Sequence, residues 1–292
     1  MAARILSLVL VWALTAFAAQ PPQRIISAAP SVTEMLYALG LGDRVVGVTT
    51  FCHNPPEARE KPKIGDYLRP NVEMIVAMRP DLVVALAEHG ELIPQLERLG
   101  LKVLPLRHNN LEGVYRSLEE LAEATGVPER GTALVTKIRA DLEAVRARAR
   151  GLERRKTIFI VGRTPGAIQD LMAVGQGPFL NELIEAAGGV NLFAEAGQFY
   201  PRIPREEILA GRPDVILDMG DMAVTDAVTE EHKRAVAALW KREFPDLPAT
   251  RAGRAYAVAD DRFVVPGPRV AEAAALLFRL IHPEAAGTEA GR

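Results

Sequence analysis

Three histidines in the first half of this 292-residue chain, His53, His89 and His108, each follow an apolar, β-branched run. No two of them stand at His-x-His or His-x-x-x-His spacing, so no coordination geometry is fixed and no metal site is predicted. Hydrogen bonding from His53 or His89 to a larger ligand is the chemistry left to them. The aromatics point the same way. Only 5% of residues are aromatic, yet Phe51, Tyr67, Phe199, Tyr200 and Phe263 fall in loop-like segments outside the apolar runs. Rings on loops suit a broad, flat, partly apolar ligand. Ser31 opens a segment that reads as a helix start, as a cap or as a donor to a polar ligand group. Arg163 follows the run 157–162 and is a candidate cation at the same site.

No catalytic signature accompanies these residues. The stretch from Gly175 to Pro178 lacks the strand and the third glycine of a dinucleotide turn. There is no phosphate loop ending in Gly-Lys-Ser and no G-x-S-x-G elbow. No catalytic residue and no catalytic cofactor are therefore expected. An exported chelatase-type enzyme is the competing class; turnover lost on His53→Ala would favour it.

The elements that position these residues are two sets of parallel strands. Continuous runs at 24–29, 45–50, 81–86 and 102–106, then at 157–162, 214–219 and 255–260, with a weaker one at 191–193, suit strands covered on both faces. Helical patterns between them imply right-handed crossovers and an α/β fold of two Rossmann-like lobes. Pro128 to Lys156 has no internal proline, and Val135, Ile138, Leu142 and Val145 recur at helical spacing. A helix from Glu129 to Arg150 is roughly 33 Å long and joins the lobes as a spine. The expected boundaries are 24–127 for the first lobe, 128–154 for the bridging helix and 155–285 for the second lobe. The ligand cleft lies between lobes, at the strands' carboxyl ends.

One sentence is spoken twice. EMIVAMRPDLVV begins at Glu73 and EEILAGRPDVIL at Glu206, and Glu, Ile, Ala, Arg, Pro and Asp recur at an offset of 133. Pro80 and Pro213 disfavour the helical region for the arginine before each, so both helices must end there.

Residues 1–18 carry a positive start, a short apolar core and a small-x-small site at Ala16 to Ala18, the pattern of a cleaved export signal. The lone Cys52 is far from that site, so the expectation is a monomer free in the periplasm with no lipid anchor. Net charge is −2, without the basic footprint of a nucleic-acid binder.

RIISAAPSVTEMLYALGLGDRVVGVTTFCHNPPEA followed by KPKIGDYLRPNVEMIVAMRPDLVVA strongly resembles the iron-complex and cobalamin class of ABC-importer substrate-binding proteins, closest to its cobalamin-binding branch. The likeness extends through IPREEILAGRPDVIL and the closing PGPRV. It implies capture of cobalamin or a related corrinoid and delivery to a dimeric permease in the inner membrane. Haem or a ferric siderophore is the alternative cargo. Tyr67 and Tyr200 match positions where cobalamin binders often carry tryptophan, and Phe51 and Phe263 match other aromatic positions. Haem would call on Tyr67 or His53, and a siderophore on Arg69, Arg163 and Arg262. Glu73 and Glu206 match the rim acids that pair with permease arginines.

Overall fold

The structure, a computed structural model, describes residues 20–220 and 229–287; the expected leader lies outside the described residues. In the first lobe β1 (Ile25–Ser27), β2 (Val45–Val48), β3 (Leu82–Leu86) and β4 (Val103–Leu106) form a parallel sheet in the order β2-β1-β3-β4. Helices α1 (Pro30–Ala38), α2 (Val72–Ala77) and α3 (Leu92–Arg98) make the crossovers, and α4 (Leu111–Ala124) follows β4. Helix α5 (Pro128–Ala149) then leads to the second lobe. Its strands are β5 (Arg155–Gly162), β6 (Met172–Ala173), β7 (Gly189–Asn191), β8 (Val215–Asp218) and β9 (Ala255–Ala257). Its helices are α6 (Phe179–Ala186), α7 (Arg205–Gly211), α8 (Glu230–Glu243), α9 (Pro248–Arg251), α10 (Val270–Ile281) and α11 (Pro283–Gly287). Strand β5 is central, with β8 and β9 parallel on one side. On its other edge β7 pairs in parallel with its start and β6 antiparallel with its end. Sequence reading missed β6, because two residues are too few to leave a hydrophobic run.

The spine is amphipathic as its spacing predicts. Val135, Ile138, Leu142 and Val145 are buried, and they lie in one apolar core with Met35 and Leu36 of the first lobe and Leu180 and Phe278 of the second. A core running through α5 couples the lobes by the same burial that stabilises each.

The repeated sentence now has a mechanical content. Helices α2 and α7 start 133 residues apart, as do β3 and β8. Arg79 and Arg212 both adopt the left-handed conformation, with φ of 47° and 48°, since the following proline closes the right-handed region to them. Asp81 Oδ2 then accepts from the backbone N–H of Gln23 (2.8 Å) and Arg24 (2.9 Å), while Asp81 N donates to Arg24 O (2.8 Å). Asp214 repeats this on Lys156, with Oδ2 accepting at 2.9 Å and N donating at 2.7 Å. Each aspartate clips the incoming strand to the start of its central neighbour and so fixes the parallel register. Ile75 and Ile208 are fully buried and seat the two helices.

Candidate functional site

Loops at the carboxyl ends of the strands build the site. After β2, Thr50 N donates to Gly65 O (2.9 Å), which sets the segment bearing Phe51 beside the one bearing Tyr67. Phe51 is 58% exposed, a high value for a phenylalanine. The half-buried Tyr67 ring stands edge-on to His89, with centroids 5.2 Å apart. Burial lowers the pKa of His89 and, with the charge of Glu88 second, raises that of Tyr67, so both are neutral at pH 7. Glu88 Oε1 accepts from Asn109 Nδ2 at 3.4 Å, and Asn109 O accepts from Phe179 N of the second lobe at 2.8 Å. Two residues before Phe179, the ring of Phe199 lies so close to Gly177 that a Cβ there would come within 2.7 Å of it. Tyr200, next in the chain, is 42% exposed. Tyr67 and His89 thus stand near a lobe junction, Asn109 to Phe179, with the Phe199 ring close by against Gly177 on the second-lobe side. His53 turns back on its own loop, its Nε2 3.1 Å from Thr50 O.

Three expected site residues are placed elsewhere. Phe263 is 1% exposed and packs edge-on against Phe159 at 5.4 Å, so it belongs to the core and offers no face to a ligand. Arg163 is buried on Asp218, its Nε donating to Oδ2 at 3.0 Å and its Nη1 to Thr164 O at 3.2 Å. A guanidinium spent this way is a structural cation. Ser31 is not a cap: Ala29 holds the N-cap position of α1 without a side-chain bond. Buried Ser31 Oγ instead lies 2.8 Å from His108 Nε2, and His108 Nδ1 lies 3.3 Å from Ser117 Oγ. Among the described residues no group of three or more His, Cys, Asp or Glu is arranged to hold a metal ion.

The His108 bridge has a pH consequence. Burial pushes its pKa from 6.5 down to about 4 against the pull of Glu88. Between these values the unfolded chain takes up a proton that the folded chain refuses. Stability is therefore full above pH 6.5 and falls as the pH drops to 4, by up to about 3 kcal/mol. Urea unfolding at pH 7.5 and 4.5 should show a smaller loss for His108→Gln than for the parent; equal losses would place the titration elsewhere.

Sequence reading also missed an ion pair between the lobes. Arg269, just before α10, donates from Nε to Glu34 Oε2 of α1 at 2.9 Å and from Nη2 to Glu34 Oε1, while its Nη1 donates to Asp261 Oδ1 at 3.0 Å. Burial pushes the Glu34 carboxyl up and the two bonds from Arg269 pull it down. Beside this pair a groove of about 730 Å³ runs between α1, α5 and the start of α10, lined among others by Tyr37, Asn54, Lys137, Asp141 and Glu272. None of the residues expected to bind ligand lines it.

Glu73 and Glu206 are exposed in the first turns of α2 and α7. A helix feeding a parallel strand runs against it, so both first turns lie at the strands' carboxyl ends, the level of the aromatic loops. Among the described residues neither carboxylate is in an ion pair.

Comparison with known proteins supplies the setting. Residues 25–261 match the periplasmic binding protein family. An uncharacterized ABC transporter substrate-binding lipoprotein of Bacillus subtilis, YvrC, is 31% identical over 271 residues, covering 90% of this chain and 81% of that one. The periplasmic vitamin B12-binding protein BtuF of Vibrio cholerae superposes with a TM-score of 0.73 at 26% identity, over 89% of this chain and 97% of that one. The periplasmic heme-binding protein RhuT of Roseiflexus sp. RS-1 superposes with a TM-score of 0.75 at 27% identity, over 90% and 99%.

Proposed function

The chain belongs to the periplasmic binding protein family, of the ABC-importer type, and on that premise we propose that it captures cobalamin or a related corrinoid between its lobes and hands it unchanged to a membrane permease. The observation that carries the reading is the set of rings on the loops of both lobes: Phe51 and Tyr67 on one side, Phe199 and Tyr200 on the other. Side chains of this kind stack on a flat macrocycle while leaving its periphery to water. The protein acts as an exported monomer and performs no chemistry on its cargo.

Haem is the second reading, supported by Tyr67, a half-buried phenol beside His89 that would supply an oxygen ligand to ferric iron. A siderophore is less well served. Arg163 is buried on Asp218, and Arg262 is held by Asp260, to which its Nε donates at 2.8 Å. Titration with cyanocobalamin and, separately, with hemin, followed by absorbance, decides between the two. The corrinoid reading expects tight cyanocobalamin binding, weakened at least tenfold in Tyr67→Ala with Tyr200→Ala. Tight hemin binding with no response to cyanocobalamin would replace it.

Glu73 and Glu206 serve docking in this reading. A pseudo-twofold carrier meeting a two-subunit partner needs equivalent charges on both lobes, and rim charges mainly steer association. Glu73→Ala with Glu206→Ala should lower reconstituted uptake at least fivefold at unchanged ligand affinity. Weakened ligand binding would instead put these acids in the pocket.

A further inference from the structure

Four of the six recurring residues in the repeat have work inside the molecule. Ile75 and Ile208 are buried, Arg79 and Arg212 take the left-handed turn, the prolines impose it, and Asp81 and Asp214 clip the strands. Glutamate and alanine are left over. Glu73, Glu206, Ala77 and Ala210 are all exposed. Positions i, i+3 and i+4 share one helix face, so each alanine lies beside its glutamate on the outer surface. The third position of that face is Val76 on α2 and Leu209 on α7, exposed at 40% and 54%. An isolated exposed aliphatic side chain is ordinary. Two at equivalent places, each framed by the same exposed acid and the same exposed alanine, are not explained by local folding. Helix propensity does not explain the alanines either, since leucine, arginine and lysine serve a short helix nearly as well.

We propose that these two faces, Glu73/Val76/Ala77 and Glu206/Leu209/Ala210, each dock as a unit on one of two equivalent partner subunits. The partner surface has a cationic side chain at one end and a shallow apolar surface about one helical turn, roughly 5 Å, away. The glutamate orients the encounter, the aliphatic side chain is buried on contact, and the alanine lets the partner approach the helix closely. This assigns the apolar part of the interface and rests on the permease-docking reading above. Because Leu209 has more surface to bury than Val76, the second lobe holds the partner more strongly.

Binding kinetics of the purified carrier on its cognate permease in lipid nanodiscs, at 0.05 and 0.3 M salt (about one Debye length of 14 and 6 Å), test it. Val76→Ser with Leu209→Ser should dissociate about tenfold faster at both salt concentrations with little change in association rate, and Leu209→Ser alone should account for most of this. Ala77→Gln with Ala210→Gln should dissociate at least as fast, by steric exclusion. Glu73→Ala with Glu206→Ala should slow association mainly at low salt. If the glutamate variant is impaired while the serine and glutamine variants bind as the parent does, the apolar assignment is wrong and the docking reading stands. If none of the variants alters binding, both fail. All positions are exposed, so matching thermal unfolding curves confirm that folding is intact.

Discussion

Asp218→Ala should lose about 4 kcal/mol of unfolding free energy, the cost of stranding a buried charge. The carboxylate is fully buried and collects four contacts. Oδ2 accepts from Arg163 Nε at 3.0 Å and from Trp240 Nε1 at 2.6 Å, and Oδ1 accepts from Gly220 N at 2.6 Å and again from Arg163 Nε at 3.2 Å. Truncation leaves the guanidinium without its counter-charge, and Arg163 Nε and the Trp240 indole N–H without an acceptor, in a buried site. The close fit reaches the backbone: a Cβ on Gly220 would lie 2.1 Å from Arg163 Cγ, so only glycine lets the arginine cross there. The mechanism is the orphaned charge, which a second variant isolates. Arg163→Met with Asp218→Leu removes both charges at similar volume and should recover a substantial part of the loss. Urea midpoints at pH 7.5 measure both. A loss under about 1 kcal/mol for Asp218→Ala would show that the guanidinium finds another partner.

Arg269→Ala should cost about 3 kcal/mol and loosen the lobes together. Glu34 is nearly buried, with its side chain 3% exposed, and Arg269 is its ion-pair partner across the lobe boundary. Burial already disfavours the Glu34 carboxylate, so losing the guanidinium leaves a buried acid without its counter-charge. Lysine is no substitute. It offers one point charge where the arginine fork engages both Glu34 oxygens and Asp261, so Arg269→Lys should recover less than half of the loss. Amide hydrogen exchange should quicken in α1 and in residues 258–269 of Arg269→Ala, and not in β8 or α8. Uniform acceleration across the chain would mean that the pair stabilises the fold globally and does not act as an interlobe tie.

The framework was legible because its determinants are local. An apolar run, a proline and an aspartate sit within a dozen residues, and each acts on its own backbone: Pro80 on Arg79, Asp81 on the strand start beside it. The spacing of Val135, Ile138, Leu142 and Val145 similarly fixes which side of α5 is buried. Aromatic positions were legible in part. Phe51, Tyr67 and Tyr200 stand on loops with surface to offer, while Phe263, in an equally loop-like setting, is buried against Phe159. Nothing near Phe263 in the chain distinguishes it from the others.

From the sequence alone came two α/β lobes, one connecting helix, a repeated helix-to-strand unit and the family they resemble. The tertiary structure alone decided which polar groups are spent internally and which remain for a ligand. Ser31 meets His108 across 77 positions, Arg163 meets Asp218 across 55, and Glu34 meets Arg269 across 235. The physical reason is that helix and strand formation depend on a residue's immediate neighbours, whereas desolvation and charge pairing depend on which distant segment arrives opposite. A candidate ligand residue is therefore identified only once its competing partners within the fold are known.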